Sequence, residues 1–192
     1  TKVHSRDDES FYYVQWINNE TLLTHSIRGT KTVISLISNI HSKNDDPLIQ
    51  EDIFLSDLII SSVRLHPGSA ILAIIGHSPQ HPNELYLNAL YDNELQRVTY
   101  SNPMLDEIML SPQETIQWRS SDGLTVQGIL TYPMNYRDGA KYPLILQIHG
   151  GPEGVTLDGW NTTSLNPVQL LSAEGFMVLQ PNYRGSGGRG VQ

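Results

Sequence analysis

Near Ser101–Gln113 the chain changes the spacing of its apolar residues, and one fold class cannot accommodate both sides of that boundary. Before it, short β-rich runs alternate with turns. Phe11–Ile17, Thr21–Ile27 and Thr32–Ile37 predict strands, and the polar stretch Ser38–Asp46, closed by Pro47, predicts a loop. Ser62–Leu65 and Ala70–Gly76 form a hairpin across His66-Pro67-Gly68-Ser69. Asn83–Leu90 and Leu95–Tyr100 form the next across Tyr91-Asp92-Asn93-Glu94. Four closely spaced antiparallel strands make one blade of a β-propeller. Residues 61–100 fit one blade and residues 10–60 a less regular one, although a generic β-sandwich satisfies the same periodicity.

Asn102-Pro103 and Ser111-Pro112 mark a connecting segment, and a different pattern follows. Glu114–Arg119 and Leu124–Tyr132 predict two strands across Ser120-Ser121-Asp122-Gly123. Leu144–Ile148 reads as a buried strand. A helix is expected over Pro167–Glu174, with Asn166 as N-cap, Pro167 at the first helical position and Gly175 as the stop. Phe176–Gln180 is another strand. Strand, helix and strand in that order predict a parallel α/β sheet with a right-handed crossover.

Bulk properties narrow the function classes. Hydrophobic residues make up 39% and charged residues 17% of the 192, so a packed core is expected rather than disorder. A net charge of −8 without a Lys/Arg cluster argues against a nucleic-acid partner. No apolar run approaches the roughly 18 residues that span a bilayer, so no membrane partner is expected. With no cysteine, disulfides, zinc–thiolate sites and a Cys nucleophile are excluded. The chain begins Thr-Lys-Val without Met and without a basic-then-apolar leader, which fits a true start upstream and makes the missing leader uninformative. The absence of cysteine leaves the compartment open, and a cytoplasmic location is the expectation. The sequons Asn19-Glu20-Thr21 and Asn161-Thr162-Thr163 are short enough to arise by chance.

The strongest chemical signal is Tyr142–Pro152, an apolar run that breaks into His149-Gly150-Gly151-Pro152. Adjacent glycines let the backbone turn its N–H groups toward a ligand. A strand followed by an HGG turn supplies half of an oxyanion hole in α/β-hydrolases, where losing one donor costs about 3 kcal/mol of transition-state stabilisation. A plain tight turn leaving a strand has the same composition. His149 leaves its strand before any nucleophile elbow, so a structural or pocket-lining role suits it better than that of a general base.

Gly185-Ser186-Gly187-Gly188-Arg189-Gly190 matches G-x-G-x-x-G after a strand, but the helix and the acidic residue about 20 positions on that a dinucleotide site needs would fall beyond Gln192, so the match alone carries little weight. Ser186 lacks the glycine two residues earlier that a nucleophile elbow requires, since Arg184 stands there. His77 and His81 are four apart, yet Pro79 and Pro82 exclude a helix that would aim them at one metal. His4, His25, His41 and His66 show no ligand spacing either, and no metal or cofactor is expected.

These blocks together resemble the prolyl oligopeptidase (S9) family of serine peptidases, in particular its acylaminoacyl-peptidase and dipeptidyl-peptidase-like branches. The resemblance lies in Ile116–Gly123, Val126–Leu130 with Pro133, Tyr142–Ile145, His149–Pro152 and Pro181–Gly190, in that order and spacing. It implies that residues 1–110 are the C-terminal blades of a β-propeller. Residues 111–192 would be the N-terminal part of an α/β-hydrolase catalytic domain, truncated before its nucleophile. It implies a Ser-Asp-His triad beyond Gln192, short peptide substrates, and an inactive segment within an active parent that could form a homo-oligomer. Gly151 would donate its N–H to the oxyanion, with Gly150 shaping the turn, and His149, Tyr183 and Arg184 would line the substrate site. A carboxylesterase-like hydrolase and a propeller-bearing, non-catalytic binding protein are the alternatives.

Overall fold

The computed structural model describes residues 8–41, 47–54, 57–92, 94–151 and 153–189. Residues 1–7, 42–46 of the Ser38–Asp46 loop, 55–56, Asn93, Pro152 and 190–192 lie outside this set. The first sheet is an antiparallel meander of β1 (Glu9–Trp16), β2 (Leu22–Arg28), β3 (Lys31–Ser38) and β4 (Ile49–Phe54). The second repeats the plan with β5 (Ile59–His66), β6 (Ile71–Ser78), β7 (His81–Ala89) and the two-residue β8 (Gln96–Arg97). Both four-strand units expected from the turn spacing are present as propeller-like blades.

The two sheets pack face to face. Leu23, Ile34 and Leu36 of the first meet Ile60, Val63, Leu65, Leu72 and Ile74 of the second in one buried cluster. Burial of such side chains is worth about 1.5–3 kcal/mol each, which makes this cluster the main stabilising feature of the first half. Polar ties fix the register between the sheets. The Gln15 amide donates to the Leu65 carbonyl at 3.1 Å and accepts the Leu65 N–H at 3.2 Å. The Ile60 N–H donates to Thr32 Oγ1 at 2.8 Å.

A 3₁₀ turn at Pro103–Glu107 connects to the third sheet, built from β9 (Gln113–Arg119), β10 (Thr125–Thr131), β11 (Leu144–Leu146) and β12 (Met177–Asn182). Its spatial order is β11-β12-β10-β9. β9 and β10 form an antiparallel hairpin, β12 lies antiparallel to β10, and β11 runs parallel to β12. The parallel pair is joined through α1 (Val168–Ala173), as the strand–helix–strand pattern predicts. Gly128 permits the close approach of β10 and β12: a Cβ there would stand 2.9 Å from the Gln180 carbonyl oxygen and 3.0 Å from Pro181 Cα.

Two local expectations are corrected. The stretch Leu144–Ile148 is not a buried strand. Only Leu144–Leu146 is paired, and Leu144, Leu146 and Ile148 are 57%, 55% and 62% exposed, because β11 is the edge of its sheet. Asn166 is not the helix cap, since Pro167 takes the cap position without a side-chain bond. The Thr162 hydroxyl instead receives the Gln169 N–H at 3.1 Å, from outside the helix. The stop at Gly175 is present: its φ of +92° suits glycine, and the Gly175 and Phe176 N–H groups return to the Ser172 and Leu171 carbonyls.

Candidate active site

β11 delivers the chain to the His-Gly-Gly turn. The Gln147 N–H bonds to the Leu179 carbonyl at 2.9 Å, and Gln180 Nε2 donates to Gln147 Oε1 at 2.9 Å, so the chain is held against β12 one residue past the end of β11. Gly151 then takes φ +57°, a left-handed conformation that costs a side-chain-bearing residue energy. Gly150 and Gly151 are both exposed, and a Cβ on either would meet open space. Their N–H groups meet no acceptor among the described residues. Two free backbone donors at an exposed strand-end turn can stabilise a developing oxyanion.

His149 is anchored on the loop after β12. Its ring stacks on Tyr183 with centroids 4.5 Å apart, and Nε2 lies 2.9 Å from Ser186 Oγ. Nδ1 lies 3.3 Å from the Gly150 carbonyl, which can only accept, so the proton sits on Nδ1 and Ser186 donates to Nε2. The Tyr183 hydroxyl donates to the His149 carbonyl at 3.0 Å. Further along, the Gly154 N–H bonds to the Gly151 carbonyl at 2.6 Å and the Gly187 N–H to the Gly154 carbonyl at 3.2 Å. Buried Asn182 completes the clamp: its amide accepts the Thr156 N–H at 2.7 Å and donates to the Thr156 carbonyl at 2.8 Å.

A cleft of about 720 Å³ opens beside this loop. Tyr183, Arg184 and Ser186 line one side, Phe11 and Tyr12 of β1 the other, so the first and third sheets share it. Their junction is polar and close. Gly29 N–H donates to the Gly188 carbonyl at 2.7 Å, Gly188 N–H to Ser10 Oγ at 2.9 Å, and Asp158 N–H to the Thr30 carbonyl at 2.9 Å. Lys31 bridges Asp57 and Asp158 at 3.1 Å each; burial opposes its charge, but the two carboxylates hold its pKa above the ordinary value. Arg184 pairs with Asp122 of the β9–β10 turn, and both side chains are more than half exposed. A smaller space of about 370 Å³ lies on the other side of the turn, with His149, Gly150, Trp160 and Gln180 on its walls.

Sequence reasoning brought Gly150, Gly151, His149, Tyr183 and Arg184 forward; His149 stacks on Tyr183, but Tyr183 and Arg184 line the larger cleft while His149 and Gly150 line the smaller space, and Arg184 pairs with Asp122. That reasoning missed Ser186 as the partner of His149, Gly154 as the residue leaving room for the turn, and Asn182 as its clamp. Their only sequence signal is position in glycine-rich or strand-end loops, which does not name a partner 37 residues away. The G-x-G-x-x-G stretch has a structural duty instead, since Gly185 (φ +88°) and Gly188 (φ +80°) shape the loop that meets the first sheet. Among the described residues no group of three or more acidic or histidine side chains could hold a metal, and no helix is long and apolar enough to cross a membrane.

No family model matches the chain. It is 34% identical over 133 residues to the uncharacterized peptidase YuxL of Bacillus subtilis, covering 69% of this chain and 20% of that protein. It is 34% identical over 180 residues to a probable dipeptidyl-peptidase 5 of Aspergillus terreus, covering 93% of this chain and 24% of that protein. The fold is similar to that of an acylaminoacyl peptidase of Pyrococcus horikoshii, with a TM-score of 0.72 at 19% identity over 95% of this chain and 26% of that one. An acylaminoacyl peptidase solved in complex with Z-Gly-Gly-Phe-chloromethyl ketone gives a TM-score of 0.71 at 21% identity, again over 95% of this chain and 26% of that one. The chain thus spans about a fifth to a quarter of the length of the proteins it matches. In sequence the chain is similar to segments of peptidases, and in fold to a segment of an acylaminoacyl peptidase.

Proposed function

We propose that the whole protein carrying this chain is a serine peptidase of the acylaminoacyl-peptidase or dipeptidyl-peptidase type, acting on short peptides. The observation that carries this reading is the exposed Gly150-Gly151 turn, whose two N–H groups find no acceptor among the described residues, set beside a cleft shared with the first sheet. Residues 1–110 are the last blades of a propeller. Residues 111–192 begin an α/β-hydrolase domain, a division supported by the parallel β11–β12 pair and the order β11-β12-β10-β9. The nucleophilic Ser, the Asp and the His of the triad lie outside this chain, so the chain alone has no hydrolytic activity. The substrate carbonyl lies against Gly151, which donates to the oxyanion, while Tyr183 and Arg184 face the peptide from the cleft wall.

In this reaction the protein's own groups orient the carbonyl and hold negative charge as it develops. The peptide chloromethyl ketone bound to a structurally similar acylaminoacyl peptidase supports a peptide as the occupant. The deciding experiment uses the full-length protein, with acylaminoacyl and dipeptidyl p-nitroanilides, p-nitrophenyl esters and a fluorophosphonate probe. Anilide turnover with labelling is expected. Turnover of esters alone would make the protein a carboxylesterase, and no labelling at all would make it a binding protein with a non-catalytic domain.

A further inference from the structure

Ser186 is 6% exposed and sits in a glycine-rich loop, and it cannot be a nucleophile because no elbow surrounds it. Its hydroxyl is nevertheless committed, at 2.9 Å, to Nε2 of the residue that immediately precedes the Gly-Gly turn. The same ring is pinned on its face by Tyr183, whose hydroxyl also holds the His149 carbonyl at 3.0 Å. His149 is therefore fixed through ring edge, ring face and backbone by one four-residue stretch of the loop after β12. The backbone beyond the glycines is tied to the same loop through the Gly154–Gly187 bond of 3.2 Å. Gly150 and Gly151 themselves have no side chains and no described acceptors, so their direction is set by their neighbours.

We infer that Ser186, acting through His149 with Tyr183 as the second support, is a positioning residue that aims the Gly150-Gly151 N–H groups. This rests on the reading of that turn as the oxyanion donor. A donor misaimed by less than an ångström keeps substrate in place while weakening charge stabilisation in the transition state. The role therefore acts on kcat and leaves KM alone.

The test uses the full-length protein and its anilide substrate. Ser186→Ala is expected to lower kcat about ten-fold, a fraction of the 10²–10³ lost with a whole donor, with KM within two-fold. In a His149→Ala background the same substitution is expected to add little, because the two residues act as one unit. Tyr183→Phe, which removes one hydroxyl and keeps the ring, is expected to lower kcat as well; if Ser186→Ala does not fold, this variant decides. Unchanged kcat, a change confined to KM, or an undiminished Ser186→Ala effect without the imidazole would overturn the positioning role while the peptidase reading stands. Absence of turnover in the unsubstituted protein would overturn both.

Discussion

Nδ1 of His77, at the end of β6, accepts the backbone N–H of Trp160 at 2.7 Å, joining the second sheet to the segment beneath the Gly-Gly turn. An imidazole can accept there only while Nδ1 is unprotonated. Burial, helped by the charge of His81 nearby, lowers the His77 pKa to about 4. An ordinary His in the unfolded chain titrates near 6.5. The folded pKa is thus depressed, the folded form disfavours the proton, and the stabilisation is fully present above about 6.5. It is lost as the pH falls from there toward 4, with a ceiling of about 3 kcal/mol. Urea midpoints at pH 7.5 and pH 4.5 should show this fall, and His77→Asn, which keeps an acceptor but does not titrate, should flatten it. A flat profile in the unsubstituted protein would remove His77 from the account.

Glu84 is the polar centre of the second sheet. Its buried carboxylate pairs with Arg97 at 3.1 Å, accepts the Ser101 N–H at 2.7 Å and the Ser101 hydroxyl at 3.1 Å, and is bonded by Thr99. Burial pushes its pKa up, and these four bonds, led by Thr99, overcome it and leave the value at about 2. The carboxylate is stabilising above the unfolded value near 4.5, and that contribution disappears as the pH falls toward 2. Glu84→Ala leaves the Arg97 charge without its partner and should cost about 3 kcal/mol, measured by denaturant unfolding. A loss below about 0.5 kcal/mol would show that water replaces the carboxylate without penalty.

Much of this could be read from the residues because the relevant signals are local. Turn residues at close spacing delimit both meanders, and Gly175 stops α1 where its φ of +92° requires glycine. The Gly150-Gly151 turn and the Tyr183-Arg184 strand end were legible as separate motifs. What could not be read is non-local. The apolar character of Leu144–Ile148 suggested burial, yet exposure depends on which neighbours a strand has, and β11 is an edge. The capping of α1 by Thr162 and the Ser186–His149 bond likewise join residues whose proximity only the folded chain creates.

Arg184 and Asp122 form an ion pair at the mouth of the cleft, with side chains 63% and 53% exposed. The Leu124 N–H, with the charge of Arg184 beside it, lowers the Asp122 pKa, but water screens the pair. Arg184→Ala should leave the thermal midpoint of the full-length protein unchanged within error. Because Arg184 lines the cleft, the same substitution should raise KM for a peptide anilide several-fold with kcat little altered. A fall in the midpoint with unchanged KM would assign Arg184 to the fold and not to the substrate.

Gly128→Ala tests the closeness of β10 and β12. Its Cβ would lie 2.9 Å from a backbone oxygen and 3.0 Å from a backbone carbon, with Trp118 at 3.2 Å, so two paired strands must move apart. Overpacking of this kind costs about 1–3 kcal/mol. Alanine at Gly123, whose φ is +86° in an open turn, meets no atom within 4 Å and should cost only its backbone strain, about 1 kcal/mol. If the two substitutions proved equally destabilising by urea unfolding, steric closeness at Gly128 would not be the reason for its glycine.

Gly154 separates the fold from the chemistry most sharply. A Cβ there would stand 2.5 Å from the Gly150 carbonyl oxygen and 2.8 Å from His149 Nδ1, both belonging to the exposed turn. That turn can shift toward solvent, since Gly150 and Gly151 face open space. The strain is therefore relieved by displacing the donors, while the buried clusters stay in place. Gly154→Ala should lower kcat of the full-length protein at least ten-fold, in keeping with the sensitivity of oxyanion donors to small displacements, with the urea midpoint little changed. Tightened binding of substrate with normal turnover would mean the turn holds the peptide and does not stabilise the transition state. A large drop in the midpoint with normal kcat per folded molecule would place Gly154 in the packing of the 150–160 segment alone.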